Sequence, residues 1–248
     1  MKTASKNTAG RYNWIDYARG IAILLVVYRH SFEGIKRAGF SIDNYMFLEH
    51  ANIIFFSFRM PLFFIVSGVF ISGSLLKRGL KGIWINKCKT ILYPYFLWGV
   101  LQITLQLIFG QYLSGQRKIT HYVDLLYLPR EVEQFWYLYA LFNVTVLYST
   151  ISIKLKFSKV HQILLGVAMY LLSAVNAQYH IDLGFVNDIL HYYLFFAAGD
   201  ALSSMILSPK HQKFLSSWKL FFLLLPLFAI SQIYFLIVNM NHDPEKYK

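Results

Sequence analysis

Arg19 and His30 are two ionisable residues that lie well inside the first apolar segment of the chain. Ionisable side chains at membrane depth are costly, and they mark substrate pathways, proton relays or ligand sites. Eleven residues of helix bring the second side chain to within about 20° of the first, about 16 Å further along the axis. Asp16 falls near the same face. The spacing predicts a polar stripe that faces the protein interior.

A plainer interpretation of this stripe also stands. Asp16 and Arg19 are three residues apart and can form an ion pair near the membrane edge. His30 can then be a buried histidine that is hydrogen-bonded to a neighbouring helix. The spacing alone does not choose between these two interpretations.

The composition predicts the class of protein. Hydrophobic residues make up 56% of the 248 residues and charged residues 15%, which indicates an all-α, polytopic membrane protein with one domain over residues 1–248. The first apolar segment carries charges and runs to spanning length without a small-residue cleavage site, so it is expected to stay as an anchor. Cys88 is the only cysteine, which excludes an intrachain disulfide and a cysteine-rich zinc site, and no metal is expected.

Windows of about 20 residues predict seven spanning helices. The fifth and sixth are the least regular, because polar residues lie at the end of one and the start of the other. The predicted spans are 14–32, 50–72, 91–112, 135–152, 161–178, 185–206 and 217–239.

Basic residues alternate between the connections of these spans. They precede the first span and fill the second, fourth and sixth connections, whereas the other connections mix both signs. This distribution predicts a cytoplasmic N-terminus. It also explains the net charge of +12 by loops that lie beside anionic lipid, so no nucleic-acid partner is expected.

The second span carries a further cation, Arg59, about two turns below its outer end. This position predicts that Arg59 lies at a depth similar to that of His30. Pro61 removes one backbone hydrogen bond and is expected to open space for a polar cavity. The alternative is that Arg59 extends toward the outer headgroups.

Four ordered segments resemble the membrane acyltransferase-3 family, and most closely its branch of sugar O-acetyltransferases that includes fucose 4-O-acetylase-like proteins. Residues 193–200 (YLFFAAGD) add weaker support. The four segments are residues 14–30 (WIDYARGIAILLVVYRH), 58–68 (FRMPLFFIVSG), 87–98 (KCKTILYPYFLW) and 135–142 (FWYLYALF).

The resemblance implies transfer of an acyl group from cytoplasmic acyl-CoA to an acceptor hydroxyl. Arg19, Lys87 and Lys89 would hold the phosphates of CoA. His30 would act as the general base, and Asp16 and Arg19 would also belong to the catalytic set. Direct attack by the hydroxyl and a covalent acyl-histidine intermediate both remain open.

The resemblance also implies an acceptor site made by Arg59, Trp136 and Ser67. Trp136 would stack on a sugar ring, or else belong to the interfacial aromatic belt. Ser67 could serve as a nucleophile, although a Ser-Gly pair in a spanning helix more often allows close helix approach. Asp188 and His191 share a helical face near the outer surface and are expected to be solvated, outside the site.

Two features differ from the family pattern. The branch more often has a histidine where Arg59 stands, and an arginine there could select an anionic acceptor. The family typically has about ten helices, so the chain is expected to lack the last ones.

The resulting prediction is a multi-pass acyltransferase of the bacterial inner membrane. It would use acetyl-CoA as donor substrate, without a bound cofactor, and acylate an envelope saccharide or glycolipid, with the oligomeric state open. The competing class is a small-solute transporter or a non-catalytic membrane subunit that uses the same polar stripe. No corresponding pair of Gly- or Pro-broken helices favours a transporter.

Overall fold

The computed structural model describes residues 13–40, 45–110, 117–179 and 181–240, and these residues are mostly helical, with no strand among them. The long helices are α1 (Asn13–Arg37), α2 (Met46–Val69), α3 (Ile71–Lys87), α4 (Tyr93–Ile108), α6 (Trp136–Lys154), α7 (Lys159–Tyr179), α8 (Phe185–Ile206) and α10 (Trp218–Asn239). The short ones are α5 (His121–Asp124) and α9 (Pro209–Leu215).

Among the described residues, each of the seven predicted spans lies mainly on helix, which confirms an all-α polytopic protein. The two irregular segments form complete helices, α7 with 21 residues and α8 with 22. Within the described residues, six helical stretches are long and apolar enough to cross a membrane. The 25-residue α1 is long enough but is not among these six, because it carries more charged residues than they do.

The second connection differs from the prediction. Residues 73–90 were expected to form a basic loop, but α3, a π-helical turn at Cys88–Leu92 and α4 follow one another along Ile71–Ile108. These 38 residues would measure about 57 Å if straight, which exceeds the hydrocarbon thickness of about 30 Å. Lys87 and Lys89 therefore lie on helical backbone rather than on a loop.

Two local features shape this long helical stretch. Gly79 breaks α3 with φ 63° and ψ 178°, a conformation that essentially only glycine adopts. Pro94 lies in the first turn of α4 and has no N–H to donate, and the Thr90 hydroxyl bonds the Asn86 carbonyl at 2.8 Å. Pro94 and Thr90 disturb the regular hydrogen-bond ladder where the π-helical turn occurs.

The chain divides into two compact units, Met1–Val66 with Met205–Lys248, and Ser67–Ser204. In the first unit, α10 packs on α2. The Ser57 hydroxyl bonds the Gln232 side chain at 2.6 Å, and the Phe58 and Phe228 rings meet edge to face at 5.3 Å. The remaining surface of α10 is mostly exposed and apolar, as expected for a helix that faces lipid.

The second unit has a core formed by α4, α5 and the segment before α6. Tyr95, Ile103, Leu125 and Val132 are buried together there. The Tyr95 hydroxyl donates to the Leu125 carbonyl at 2.7 Å, and its ring stacks on that of Tyr139 at 5.1 Å. The buried phenol is thus hydrogen-bonded, as burial requires.

Close helix approach in the second unit depends on two glycines. A Cβ at Gly68 would overlap the backbone carbonyl of Phe196 in α8, and one at Gly166 would lie 2.8 Å from the Leu194 Cα. The interpretation of the Ser67–Gly68 pair as a close-packing element is therefore confirmed at Gly68. Ser67 itself is half-buried.

We predict that Gly68→Ala destabilises the protein by about 1–3 kcal/mol, because the new methyl group meets rigid backbone. Gly73→Ala is the matched control, since nothing lies within 4 Å of its Cβ position. Thermal unfolding of both variants in detergent measures the difference. Equal melting temperatures for the two variants would contradict the close packing at Gly68.

Candidate active site

The polar stripe lies on one continuous helix. Since α1 runs unbroken through Arg19 and His30, the two side chains point to the same side, about 16 Å apart along the axis. His30 and Asp16 are half-buried, and Arg19 is exposed. The structure thus gives α1 an exposed cationic end and a more sheltered imidazole.

Arg59 lies inside the protein. It is 1% exposed, and its Nη1 atom is 3.5 Å from both the Leu25 carbonyl and the Asn52 side-chain oxygen. Its guanidinium also lies 5.2 Å from the centre of the Phe56 ring. The alternative in which Arg59 extends to the headgroups is therefore wrong. Leu25 is about midway between Arg19 and His30 along the helix axis, so the cation contacts the backbone of α1 at the middle of the helix.

Sequence reasoning missed the residues that hold this guanidinium. Asn52 is seven residues before Arg59 and hence on the same helical face, a spacing that could have indicated the contact. Phe56, three residues before Arg59, shares that face as well, and its ring also receives the guanidinium of Arg29 at 5.0 Å from its centre. Pro61 does not interrupt α2, which is one continuous helix.

Two further contacts fix α1 against α2 at their facing ends, and a third lies within α1. Tyr28 donates to the Leu48 carbonyl at 2.6 Å, and Lys36 pairs with Glu49 at 2.8 Å. Arg29 pairs with Glu33 at 2.6 Å within α1. Asp16, Arg19, His30 and Arg59 all belong to this first unit.

The other predicted site residues belong to the second unit. Lys87 ends α3 and is half-buried, whereas Lys89 lies in the π-helical turn and is exposed, beside the exposed Cys88. Such π-helical turns occur frequently at functional sites. Two ammonium groups at this turn are suited to an anionic ligand.

Trp136 begins α6 and is half-buried. The Arg130 guanidinium lies 4.4 Å from its ring centre, and the Tyr192 ring lies at 5.6 Å. A sugar that stacks on Trp136 must therefore share the indole with these neighbours. This contact limits the ring surface that an acceptor can use.

The prediction that Asp188 and His191 are solvated is wrong. Asp188 is 1% exposed and receives two bonds from Arg130, at 2.8 Å and 2.6 Å. His191 is half-buried against the Tyr170 ring at 5.1 Å. The partner of Asp188 is 58 residues away in sequence, so helical periodicity could not reveal the pair.

A second buried carboxylate joins three helices of this unit. Asp200 accepts from the Tyr148 hydroxyl at 2.7 Å, and its Oδ1 lies 3.6 Å from the Lys159 ammonium. Lys159 also donates to the Asp200 carbonyl at 2.7 Å and to Ser203 at 2.8 Å. These contacts connect α6, α7 and α8, so we interpret Asp200 as a structural residue.

The fold and the site define the class of protein. It is an all-α membrane protein with a buried intramembrane arginine and a histidine on its first helix. Comparison with known families identifies the family to which the chain belongs. A family model described as an acyltransferase domain, acyltransferase-3, matches residues 12–247. The chain belongs to the acyltransferase-3 family and is a membrane acyltransferase. No curated protein and no solved structure matches it.

We predict that Arg130→Leu destabilises the protein by about 2 kcal/mol, because it leaves the buried Asp188 carboxylate without its cation. The figure is below that of a fully buried pair since the Arg130 side chain is 54% exposed. The double variant Arg130→Leu/Asp188→Leu should recover most of this loss. Thermal unfolding of both in detergent tests it, and equal destabilisation would contradict a charge-based explanation.

Proposed function

We propose that the protein transfers an acetyl group from cytoplasmic acetyl-CoA to a hydroxyl of a saccharide or glycolipid of the bacterial cell envelope. The proposal places the enzyme in the inner membrane, with its N-terminus in the cytoplasm. The observation that supports it best is the burial of Arg59 against the backbone of α1, at an axial position midway between Arg19 and His30. A cation held at that depth is costly, and such residues are typical of substrate sites in membrane proteins.

His30 is proposed as the general base. Its imidazole takes the proton of the acceptor hydroxyl while the oxygen attacks the thioester carbonyl. The carbon–sulfur bond then breaks, the ester forms, and the thiolate of CoA leaves with the proton that the imidazolium returns. In the alternative order, the imidazole attacks first, and an acyl-histidine passes the group to the hydroxyl.

The remaining roles follow from side-chain chemistry. Arg19, on the exposed part of the stripe, is proposed to bind anionic groups of the donor, with Asp16 one turn away to orient it. Lys87 and Lys89 are proposed to bind CoA phosphate at the π-helical turn. Arg59 is proposed to contact the acceptor or the developing negative charge at the carbonyl oxygen.

Ser67 and Trp136 are proposed as acceptor contacts. Ser67 is half-buried and directly precedes Gly68, the residue of the close contact with α8. The indole of Trp136 offers an edge and part of a face. Both residues would position the acceptor and take no part in proton transfer.

We predict that His30→Ala lowers acetyl transfer about 100-fold or more, which is the usual contribution of a general base. Vesicles that contain the protein are given radiolabelled acetyl-CoA on the cytoplasmic side, and label in envelope saccharide is measured. His50→Ala is the control, as it removes a half-buried histidine of the same unit. Unchanged incorporation in His30→Ala would refute the role, and solute flux without incorporation would favour a transporter.

We predict that Lys87→Gln/Lys89→Gln raises the KM for acetyl-CoA about tenfold with little change in kcat. Two charge-assisted bonds to phosphate are lost, while the reacting groups stay in place. Lys77→Gln/Lys81→Gln is the matched control, because it removes two exposed lysines from the same helix. If both double variants change KM equally, the effect is one of general charge and the assignment to Lys87 and Lys89 is wrong.

A further inference from the structure

An open groove of about 350 Å³ lies in the second unit, where α4 ends and α6 begins. Its volume falls within the range of about 300–1,000 Å³ that small-molecule sites occupy. Three amides and two aromatic rings line it together with two leucines. The polar and aromatic lining residues are Gln102, Gln106, Gln134, Trp98 and Phe135.

We infer that this groove binds a neutral saccharide unit of the acceptor. The inference rests on the proposed function and adds to it a binding site and the neutral character of the saccharide that this site takes. Neither the polar stripe of α1 nor the contacts of Trp136 identify such a site.

The three amides have hydrogen-bonding capacity to spare. Gln134 donates to Gln102 at 3.1 Å, Gln102 is 3.5 Å from Glu133, and Gln106 accepts from Arg117 at 3.1 Å. A glutamine side chain can make four hydrogen bonds, and each of these uses at most two within the described residues. Amides that both donate and accept are suited to hydroxyl groups, which do the same.

The aromatic rings supply the second element of sugar recognition. Trp98 is 51% exposed and Phe135 is half-buried, so both offer apolar surface to the groove. The apolar C–H face of a pyranose ring can pack on such surface while its hydroxyls reach the amides. Trp136, in contrast, is already covered in part by Arg130 at 4.4 Å.

Two carboxylates and one cation lie beside the groove, so the charge there is net negative. Arg117 donates to the Glu131 carbonyl at 2.6 Å, and its nitrogens lie 3.9 Å and 4.0 Å from the Glu131 and Glu133 carboxylates. Its side chain is only 14% exposed. An anionic ligand would meet both carboxylates, so the groove favours a neutral one.

The wall of the groove is held in a strained conformation. Glu133 has φ 56° and ψ −117°, which a non-glycine residue rarely adopts and which costs about 1–3 kcal/mol. The contacts of its carboxylate with Gln102 and Arg117 help to hold that conformation, and Gln134 follows directly in the groove wall. Strain of this kind persists where the surroundings determine the geometry, as at ligand sites.

An acyl chain of a lipid is a poorer occupant. Three amides placed against hydrocarbon lose their hydrogen bonds to water, at a cost of about 1–3 kcal/mol for each group without a partner. A ligand with hydroxyl groups removes this cost. The chemistry therefore favours a sugar, carried either by a free saccharide or by a glycolipid headgroup.

The test uses the full chain in nanodiscs with two neutral probes, maltotriose in solution and diglucosyl diacylglycerol in the bilayer. We expect a saturable change in tryptophan fluorescence with at least one probe, and its loss in Trp98→Phe. Gln102→Leu/Gln134→Leu should weaken binding at least tenfold, since two hydrogen-bonding amides are removed. Gln178→Leu, an exposed glutamine of α7, is the matched control.

The two probes separate a free saccharide from a glycolipid headgroup. Absence of binding by both, or equal binding in the groove variant and the wild type, would overturn the inference. In the transfer assay, Gln102→Leu/Gln134→Leu should raise the acceptor KM with kcat maintained. If the wild-type protein transfers no acetyl label while the probes still bind the groove, the proposed function fails and the groove assignment stands.

Discussion

The buried guanidinium of Arg59 is the interaction on which the candidate active site depends. A cation at this depth is tolerated only where polar partners replace water, and here the Leu25 carbonyl, Asn52 and the Phe56 ring do so. Because one of these partners is the backbone of α1, the same contact ties α2 to the middle of the first helix. The face of α1 that carries Arg19 and His30 is thereby fixed relative to Arg59.

In the second unit the buried charges are carboxylates, and they too have partners that replace water. Asp188 and Asp200 are almost fully buried, and each has a cation beside it, Arg130 or Lys159. In a low-dielectric interior an unpaired charge is far more costly than a paired one, so these pairs determine which helices pack together. The glycines at 68 and 166 then allow the helix backbones to approach closely.

Much of the fold could be predicted because a membrane restricts backbone structure. Every backbone polar group in hydrocarbon must be satisfied within its own segment, so long apolar stretches become helices. The predicted ends of α8 and α10 lie within one residue of the observed ones. The helical path through Lys87 and Lys89 was not foreseen, since the charge density indicated a loop. The structure has a π-helical turn there, with the Thr90 hydroxyl bonded to the Asn86 carbonyl.

The sequence by itself determined the helices, the family resemblance and the spacing of Arg19 and His30, because each of these is a property of local periodicity or of residue order. Only the tertiary structure decided that Arg59 faces α1, that Asp188 is buried beside Arg130, and that three glutamines share one groove. These facts depend on contacts between residues far apart in the chain. Helical periodicity gives the face of a residue, but packing alone selects the partner of that face.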